Sequence, residues 1–363
     1  MDKGNNACRG CLLGLAVGDA MGHAVDGKSW QEIQEDYGPG GLLGYDLVND
    51  SAAGSAHTQV AAFVTNGLLL GITRGKPELY LRYINLSLRE WARAQYYPRD
   101  PEKSYCWVAK ISQMRGRKCK DSRMLEALRI DTPGTMEKPT NRASTPGGLP
   151  GAVAVGLACS SKGMDRDLAV QLGAQAVALT HGNVETYLCG GVIAETIASI
   201  LDDPKKPLQS QFVSAIDKMV NRLGGQYSQA EETGNFLRRV IHAAQQPVED
   251  PREVMEKLGC ETAAQCLAGA MYAALVWQED FDSAMILSVN HSGCSAVVAS
   301  ITGAILGARM GAEALPEFYL ECLEPAPILE ELAADLNIGS PTAGLFDDDW
   351  DQKYVQGLPR TAI

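Results

Sequence analysis

At 363 residues the chain is long for one domain, yet no Pro-, Gly- and Ser-rich tract offers a linker, and apolar residues (45%) are spread evenly enough to fill one core. A net charge of −12 argues against nucleic acid and anionic membrane as partners. No run of 18 apolar residues and no basic-then-apolar leader is present, so neither a membrane span nor a secretion signal is expected, and the expected location is the cytoplasm.

In chain order, apolar spacing predicts a first helix over residues 6–21, with Cys8, Leu12 and Leu15 on one face. Cys8 and Cys11 have C-x-x-C spacing, but no second pair completes a zinc site, so they read as small core residues; all ten cysteines read as reduced thiols. Ser29-Trp30-Gln31-Glu32 is a capping box for a short second helix. A buried helix follows over 57–73, with Ser55 or Thr58 as its N-cap and Gly75 just past its end. Residues 79–95 carry a stripe of Leu81, Ile84, Leu88 and Trp91. Further helices are predicted over 165–181, 184–201, 209–223, 262–277, 281–290 and 295–310, with two short ones between 316 and 336. No alternating β-branched run stands out. The expected fold class is all-α, one compact helical bundle over 1–363 with an irregular tail from 339 to 363, whose Asp347-Asp348-Asp349 reads as a surface terminus.

Glycines recur inside these helices at 14, 18, 67, 71, 190, 191, 303 and 307, each costing roughly 1 kcal/mol relative to Ala. Such repetition predicts close helix–helix approach. Residues 99–142 hold eleven Lys or Arg against six Asp or Glu, a local balance of +5 in an acidic chain. That stretch reads either as a solvated surface loop or as a basic lid over an anionic ligand such as a diphosphate.

Four polar, glycine-bearing loops interrupt the apolar helices: residues 18–26, 54–58, 179–183 and 290–295. They contain four of the five histidines, His23, His57, His181 and His291. Two of the loops run directly into helix N-termini, whose free N–H groups and dipole attract anions.

The opening block, Arg9-Gly10-Cys11-Leu12-Leu13-Gly14-Leu15-Ala16-Val17-Gly18-Asp19-Ala20-Met21-Gly22, resembles that of the ADP-ribosylglycohydrolases, which include the dinitrogenase reductase-activating glycohydrolases. Thr180-His181 resembles the family's central T-H, and Gly303-Ala304-Ile305-Leu306-Gly307-Ala308 its closing helix, in matching order from about residue 8 to 336. The resemblance implies an all-α fold, a ligand such as ADP-ribose or an ADP-ribosylated protein, and two magnesium ions held by a T/S-D-D-T and a G-G-D-x-D-T/S stretch. Here the first stretch reads Ser55-Ala56-His57-Thr58 and the second Ser292-Gly293-Cys294-Ser295-Ala296-Val297. All four aspartates are replaced, by Ala56, His57, Cys294 and Ala296; the family's early glutamate matches Asp26; and its Met-Arg element falls near Leu149-Pro150, where neither residue stands.

Magnesium requires oxygen ligands, and a close pair of dications requires several carboxylates. The expectation is therefore no metal centre. Three readings follow. A catalytically silent relative binds ADP-ribose or a nucleotide through Asp19, His23, Ser55, Thr58, His181, His291, Ser292, Gly293 and Ser295. A rebuilt site uses His57, His291 and Cys294 as a thiolate–imidazole nucleophile or, alternatively, as a zinc set. A metal-free glycosidase uses Asp26 as general base with Asp19 as the second carboxylate.

Overall fold

The computed structural model describes residues 3–97, 103–160, 164–339 and 348–356. Among them the regular structure is helical, with two isolated β-bridges and no ladder, so the fold is all-α as expected. In chain order the helices are α1 (Lys3–His23), α2 (Trp30–Tyr37), α3 (Ala56–Arg74), α4 (Tyr80–Tyr96), α5 (Ser122–Arg129), α6 (Leu149–Ser160), α7 (Ala169–Ala178), α8 (Val184–Asp202) and α9 (Leu208–Leu223). They continue as α10 (Gln229–Ala243), α11 (Pro251–Leu258), α12 (Ala263–Val276), α13 (Phe281–Val289), α14 (Ser295–Met310), α15 (Glu317–Glu321), α16 (Ala326–Ile338) and α17 (Asp348–Trp350).

The centre of the bundle is the antiparallel pair α1 and α14, and small residues every fourth position explain it. Gly10, Gly14, Gly18 and Gly22 face Gly307, Gly303, Ala299 and Ala296 in turn. A Cβ on Gly14 would lie 2.1 Å from the carbonyl oxygen of Gly303, and one on Gly307 would lie 1.9 Å from that of Gly10. Only hydrogen fits, so the two backbones touch. The antiparallel register sets the C-terminal end of α1 beside the N-terminal end of α14, and that end of the pair carries the loops singled out above.

The remaining helices wrap this axis. α3 packs on α4 and α6, and α8 packs on α6, α7 and α9. α12 and α13 cover the other flank of α14. α8 is long and apolar enough by composition to cross a membrane, but 78% of its apolar window is buried within the fold, as a core helix requires. The expected caps are present: the Ser29–Glu32 box on α2, Ser55 on α3, and Gly75 in the left-handed conformation after it.

Several elements depart from expectation. The helix predicted over 165–181 starts as a 3-10 turn, Arg166–Leu168, and ends at Ala178, leaving Thr180 and His181 in the following turn. α5, α6, α10 and α11 were not anticipated. α6 is buried on every side and so shows no helical period, and α5 and α11 span only two turns. α10 carries an ordinary stripe of Ala230, Thr233, Leu237, Val240 and Ile241 that was legible and overlooked. Within the tail expected to be irregular, the described residues 348–356 depart from that expectation. Asp348–Trp350 and Asp351–Val355 are helical, because Trp350 and Tyr354 bury their rings, and Tyr354 donates to Asp335 (2.6 Å) while Trp350 donates to Thr73 (3.2 Å). Asp347 lies outside the described residues.

The glycine seam makes a testable statement. Gly14→Ala should lower stability by about 1–3 kcal/mol, since its methyl meets backbone, in spite of the roughly 1 kcal/mol that Ala gains in a free helix. Gly225→Ala, where nothing lies within 4 Å, should stay within about 0.5 kcal/mol of the parent. Denaturant midpoints compare the two; equal midpoints would refute backbone contact along the seam.

Candidate functional site

Asp19 lies on the last turns of α1 and is fully buried. Its Oδ2 accepts from the backbone N–H of Ser55 (2.6 Å) and Thr58 (3.0 Å) and from the Thr58 hydroxyl (2.6 Å). Its Oδ1 accepts from the Ser55 hydroxyl (2.5 Å) and lies 3.2 Å from Nδ1 of His57. The first turn of α3 thus wraps a carboxylate borrowed from another helix, which answers the orphan N–H groups and positive end that any helix start presents. Burial alone would raise the Asp19 carboxyl, but the His57 hydrogen bond and charge, with the two hydroxyls, hold it down at about 2. Burial likewise works against a charged His57, yet the hydrogen bond and charge of Asp19 outweigh it and raise the imidazole above its ordinary value of 6.5. Each group thus favours the other's charged form, with His57 Nδ1 facing Asp19 and Nε2 the ring's remaining polar atom.

Beside this couple opens a cleft of ≈360 Å³. His23, Asp26, His57 and Cys294 border one wall; Lys118, Lys120, Asp121, Arg123 and the Thr145–Gly147 turn border the other. Asp26 Oδ1 accepts from the backbone N–H of Ala296 (3.2 Å), at the start of α14. Cys294 is the N-cap of α14, half-buried, with its N–H on the carbonyl of Cys260 (2.8 Å). The neighbouring Cys266 thiol draws the Cys294 thiol below its ordinary range, against the opposing effect of burial, and His57 adds to the lowering. Asp121 caps α5 through the N–H groups of Arg123 (3.0 Å) and Met124 (3.2 Å) and accepts from the Thr145 hydroxyl (2.6 Å). Burial opposes its ionisation, but hydrogen bonds from His181 and Thr145 hold it well below the usual carboxylate range.

Three helix starts at the cleft therefore each carry an aspartate: Asp19 on α3, Asp26 on α14 and Asp121 on α5. This corrects the expectation that the helix ends beside the α3 and α14 loops stand open to an anion; the protein's own carboxylates already occupy them. The 3-10 turn Pro146–Gly148 that leads into α6 differs, because no side chain caps it. Cationic character comes instead from the basic segment. Buried amides fix that segment in place: Gln95 Oε1 accepts from the N–H groups of Lys118 (2.8 Å) and Cys119 (3.0 Å), and Gln59 holds Gln95 (3.2 Å) and the carbonyl of Met114 (3.3 Å). Lys120 and Arg123 are exposed at the cleft, whereas the Lys118 ammonium is engaged by the Gly54 carbonyl.

The sequence-predicted residues divide into three groups. His23, Asp26, Ser55, His57 and Cys294 border the cleft, and Asp19 and Thr58 lie directly beneath it. His181 is fully buried behind the wall, with Nε2 on the Thr145 hydroxyl (3.1 Å) and Nδ1 on that of Thr180 (2.8 Å). His291, Ser292, Gly293 and Ser295 do not reach the cleft; they shape the turn before α14. The ring nitrogens of His291 face the carbonyls of Ser288 (3.0 Å) and Ser292 (2.9 Å). Ser292 accepts from the N–H of Trp30 and donates to Glu256, and Ser295 donates to the carbonyl of Val289. His57 and Cys294 share the cleft without His291, so the trio considered as nucleophile or zinc set does not assemble. Sequence reasoning missed Asp121, Thr145, Lys120 and Arg123. For Asp121, Lys120 and Arg123 the only signal was the local charge balance, which marks a segment and not the residues within it; Thr145, outside that segment, had none.

The ADP-ribosylglycohydrolase family model matches residues 2–345. An uncharacterized protein of Archaeoglobus fulgidus is 24% identical over 332 residues, 90% of this chain and 95% of its own length. Among solved structures, an ADP-ribosylglycohydrolase-related protein complex superposes with a TM-score of 0.60 at 21% identity, over 93% of this chain and 99% of that one, a likeness of fold.

The Asp19–His57 couple has a pH signature. The raised imidazole contributes stability that is full below about pH 6.5 and is lost as pH rises through its folded value; the depressed carboxyl contributes stability that is full above about pH 4 and is lost as pH falls towards about 2. In an NMR titration the His57 ring should titrate above 6.5 in the parent and move down in Asp19→Asn, where burial acts with less opposition. An unchanged His57 midpoint in that variant would show the couple to be absent.

Proposed function

Since the chain belongs to the ADP-ribosylglycohydrolase family, we propose that it is a member without the dinuclear magnesium centre, which uses its cleft to bind ADP-ribose or a related nucleotide, free or attached to a protein, and is catalytically silent. One observation carries this reading: the position of the first stretch's second aspartate is filled by His57, whose Nδ1 lies 3.2 Å from Asp19. An imidazole brings none of the negative charge that an aspartate there would offer, and the protonated form that Asp19 favours repels cations. The other donors fit no better. Ala56 and Ala296 offer methyl groups, the Ser55 and Thr58 hydroxyls donate to Asp19, and Asp26 is a single carboxylate already holding the N–H of Ala296. Among the described residues no three His, Cys, Asp or Glu side chains group as a metal set, which speaks equally against the zinc alternative.

The same features suit an anion. Lys118, Lys120 and Arg123 outnumber Asp26 and Asp121 around the cleft, and His57 adds to that excess. A diphosphate with a ribose on either side matches this mixture of cations and hydroxyls. The chain's net charge supports a small molecule or a modified protein over nucleic acid or membrane, and its free thiols support a reducing compartment such as the cytoplasm.

A second reading, a divergent hydrolase of an N- or O-glycosidic bond, is favoured by the depressed Cys294 thiol and Asp26 on one wall. Asp19, weighed from sequence as the second carboxylate for such chemistry, is sealed beneath Ser55 and Thr58.

Thermal melts decide between these. ADP-ribose should stabilise the protein in excess chelator, by about 2.7 kcal/mol at ~100 times its dissociation constant. The Lys120→Glu, Arg123→Glu double variant should lose that stabilisation, and no ADP-ribose should be released from an ADP-ribosylated arginine substrate. A flat melt at millimolar ligand would remove ADP-ribose as the ligand; release of ADP-ribose by the parent would favour the second reading.

A further inference from the structure

Two thiols at the edge of the cleft have no role in the anion binding described above. Cys294 borders the cleft and is half-buried; Cys266, on α12, is fully buried immediately behind it. One carbonyl ties them together. The oxygen of Cys260 accepts from the N–H of Cys294 (2.8 Å) and from the thiol of Cys266 (3.1 Å), so both residues meet at one backbone atom.

Backbone geometry makes this arrangement specific. Gly259 and Cys260 follow α11 with φ of +80° and +47°, so the carbonyl of Cys260 turns towards the loop before α14. Gly293 meets it at φ +122°, and a Cβ there would stand 2.7 Å from that oxygen. The two turns pack backbone to backbone and hold the thiols as neighbours. The pair is also chemically unequal. Burial raises Cys266 well above the ordinary thiol value, whereas Cys294 is lowered by the neighbouring Cys266 thiol. Cys119, across the same cleft, is pushed up to about 11 by burial. A half-buried attacking thiol at a cleft, with a neutral buried partner, is the division of labour that thiol oxidation uses.

We propose that Cys294 is a reversible oxidation site for a small hydroperoxide that enters the cleft, with Cys266 as its resolving thiol. The Cys294 sulfur attacks the distal peroxide oxygen, the O–O bond breaks, and the leaving oxygen takes the thiol proton and departs as water or an alcohol. The resulting sulfenic acid is attacked by Cys266; the S–O bond breaks, a second water leaves, and a disulfide joins α12 to the start of α14. Two thiols lose two electrons and the peroxide gains them. A reducing dithiol reverses the step. The proposal is independent of which anion the cleft takes, although an occupant would shield Cys294.

The test treats the intact protein with near-stoichiometric hydrogen peroxide at neutral pH, blocks remaining thiols, and maps peptides without reduction. The expected product is a linked Cys266–Cys294 peptide that dithiothreitol releases. In Cys266→Ser, Cys294 should instead be trapped as a sulfenic acid by dimedone, and in Cys294→Ser, Cys266 should remain unmodified. Oxidation of Cys119 or Cys322 with Cys294 intact would overturn the proposal; oxidation of Cys294 with Cys266 still free in the parent would overturn the resolving role. The parent map requires no variant to fold.

Discussion

The carboxylate of Asp19, buried on the last turns of α1, can be satisfied only by donors brought to it, and the rest of the site follows from which donors those are. The touching backbones of α1 and α14 fix where it stands, because glycine at every fourth position leaves no side chain to slide or tilt. The first turn of α3 then closes over it with two N–H groups and two hydroxyls, and His57 completes the set. A buried charge with several short partners is strongly held, since removing any partner leaves a desolvated group unpaired. The loop that presents Ser55, Ala56, His57 and Thr58 to the cleft is accordingly built around an anion of the protein's own.

That loop carries an imidazole and a methyl group where the resembled pattern has two carboxylates, and the aspartates at the cleft lie at helix starts. Positive charge at the cleft comes from the basic stretch held by Gln59 and Gln95. Its attachment to core amides, not to surface contacts, is what makes Lys120 and Arg123 part of a wall.

The fold was largely legible because its two strongest signals are local. Helical periodicity placed α1, α3, α4, α8, α9, α12, α13 and α14 within a residue or a few, and the recurring glycines pointed to close packing that the α1–α14 seam bears out. Where periodicity fails, so did the reading: α6 is apolar all round, and the terminal turn holding Trp350 and Tyr354 is ordered by contacts with residues hundreds of positions away. In the site, loop composition found Asp26, Ser55, His57 and Cys294, which share the cleft, but could not separate them from His291, Ser292 and Ser295, whose side chains turn to nearby carbonyls and to Glu256. Direction of a side chain within a turn is a tertiary property. The role of Asp121 was hidden for the same reason, since its partners Thr145 and His181 lie 24 and more positions away.

The proposed lack of a dinuclear metal centre, with His57 beside Asp19 in the place of an aspartate, is open to direct test. Titrating manganese into chelator-treated protein, followed by calorimetry and by the spin resonance of free ion, tests it most directly. The account predicts that the ion stays free at micromolar concentration; two equivalents of tightly bound manganese would contradict it.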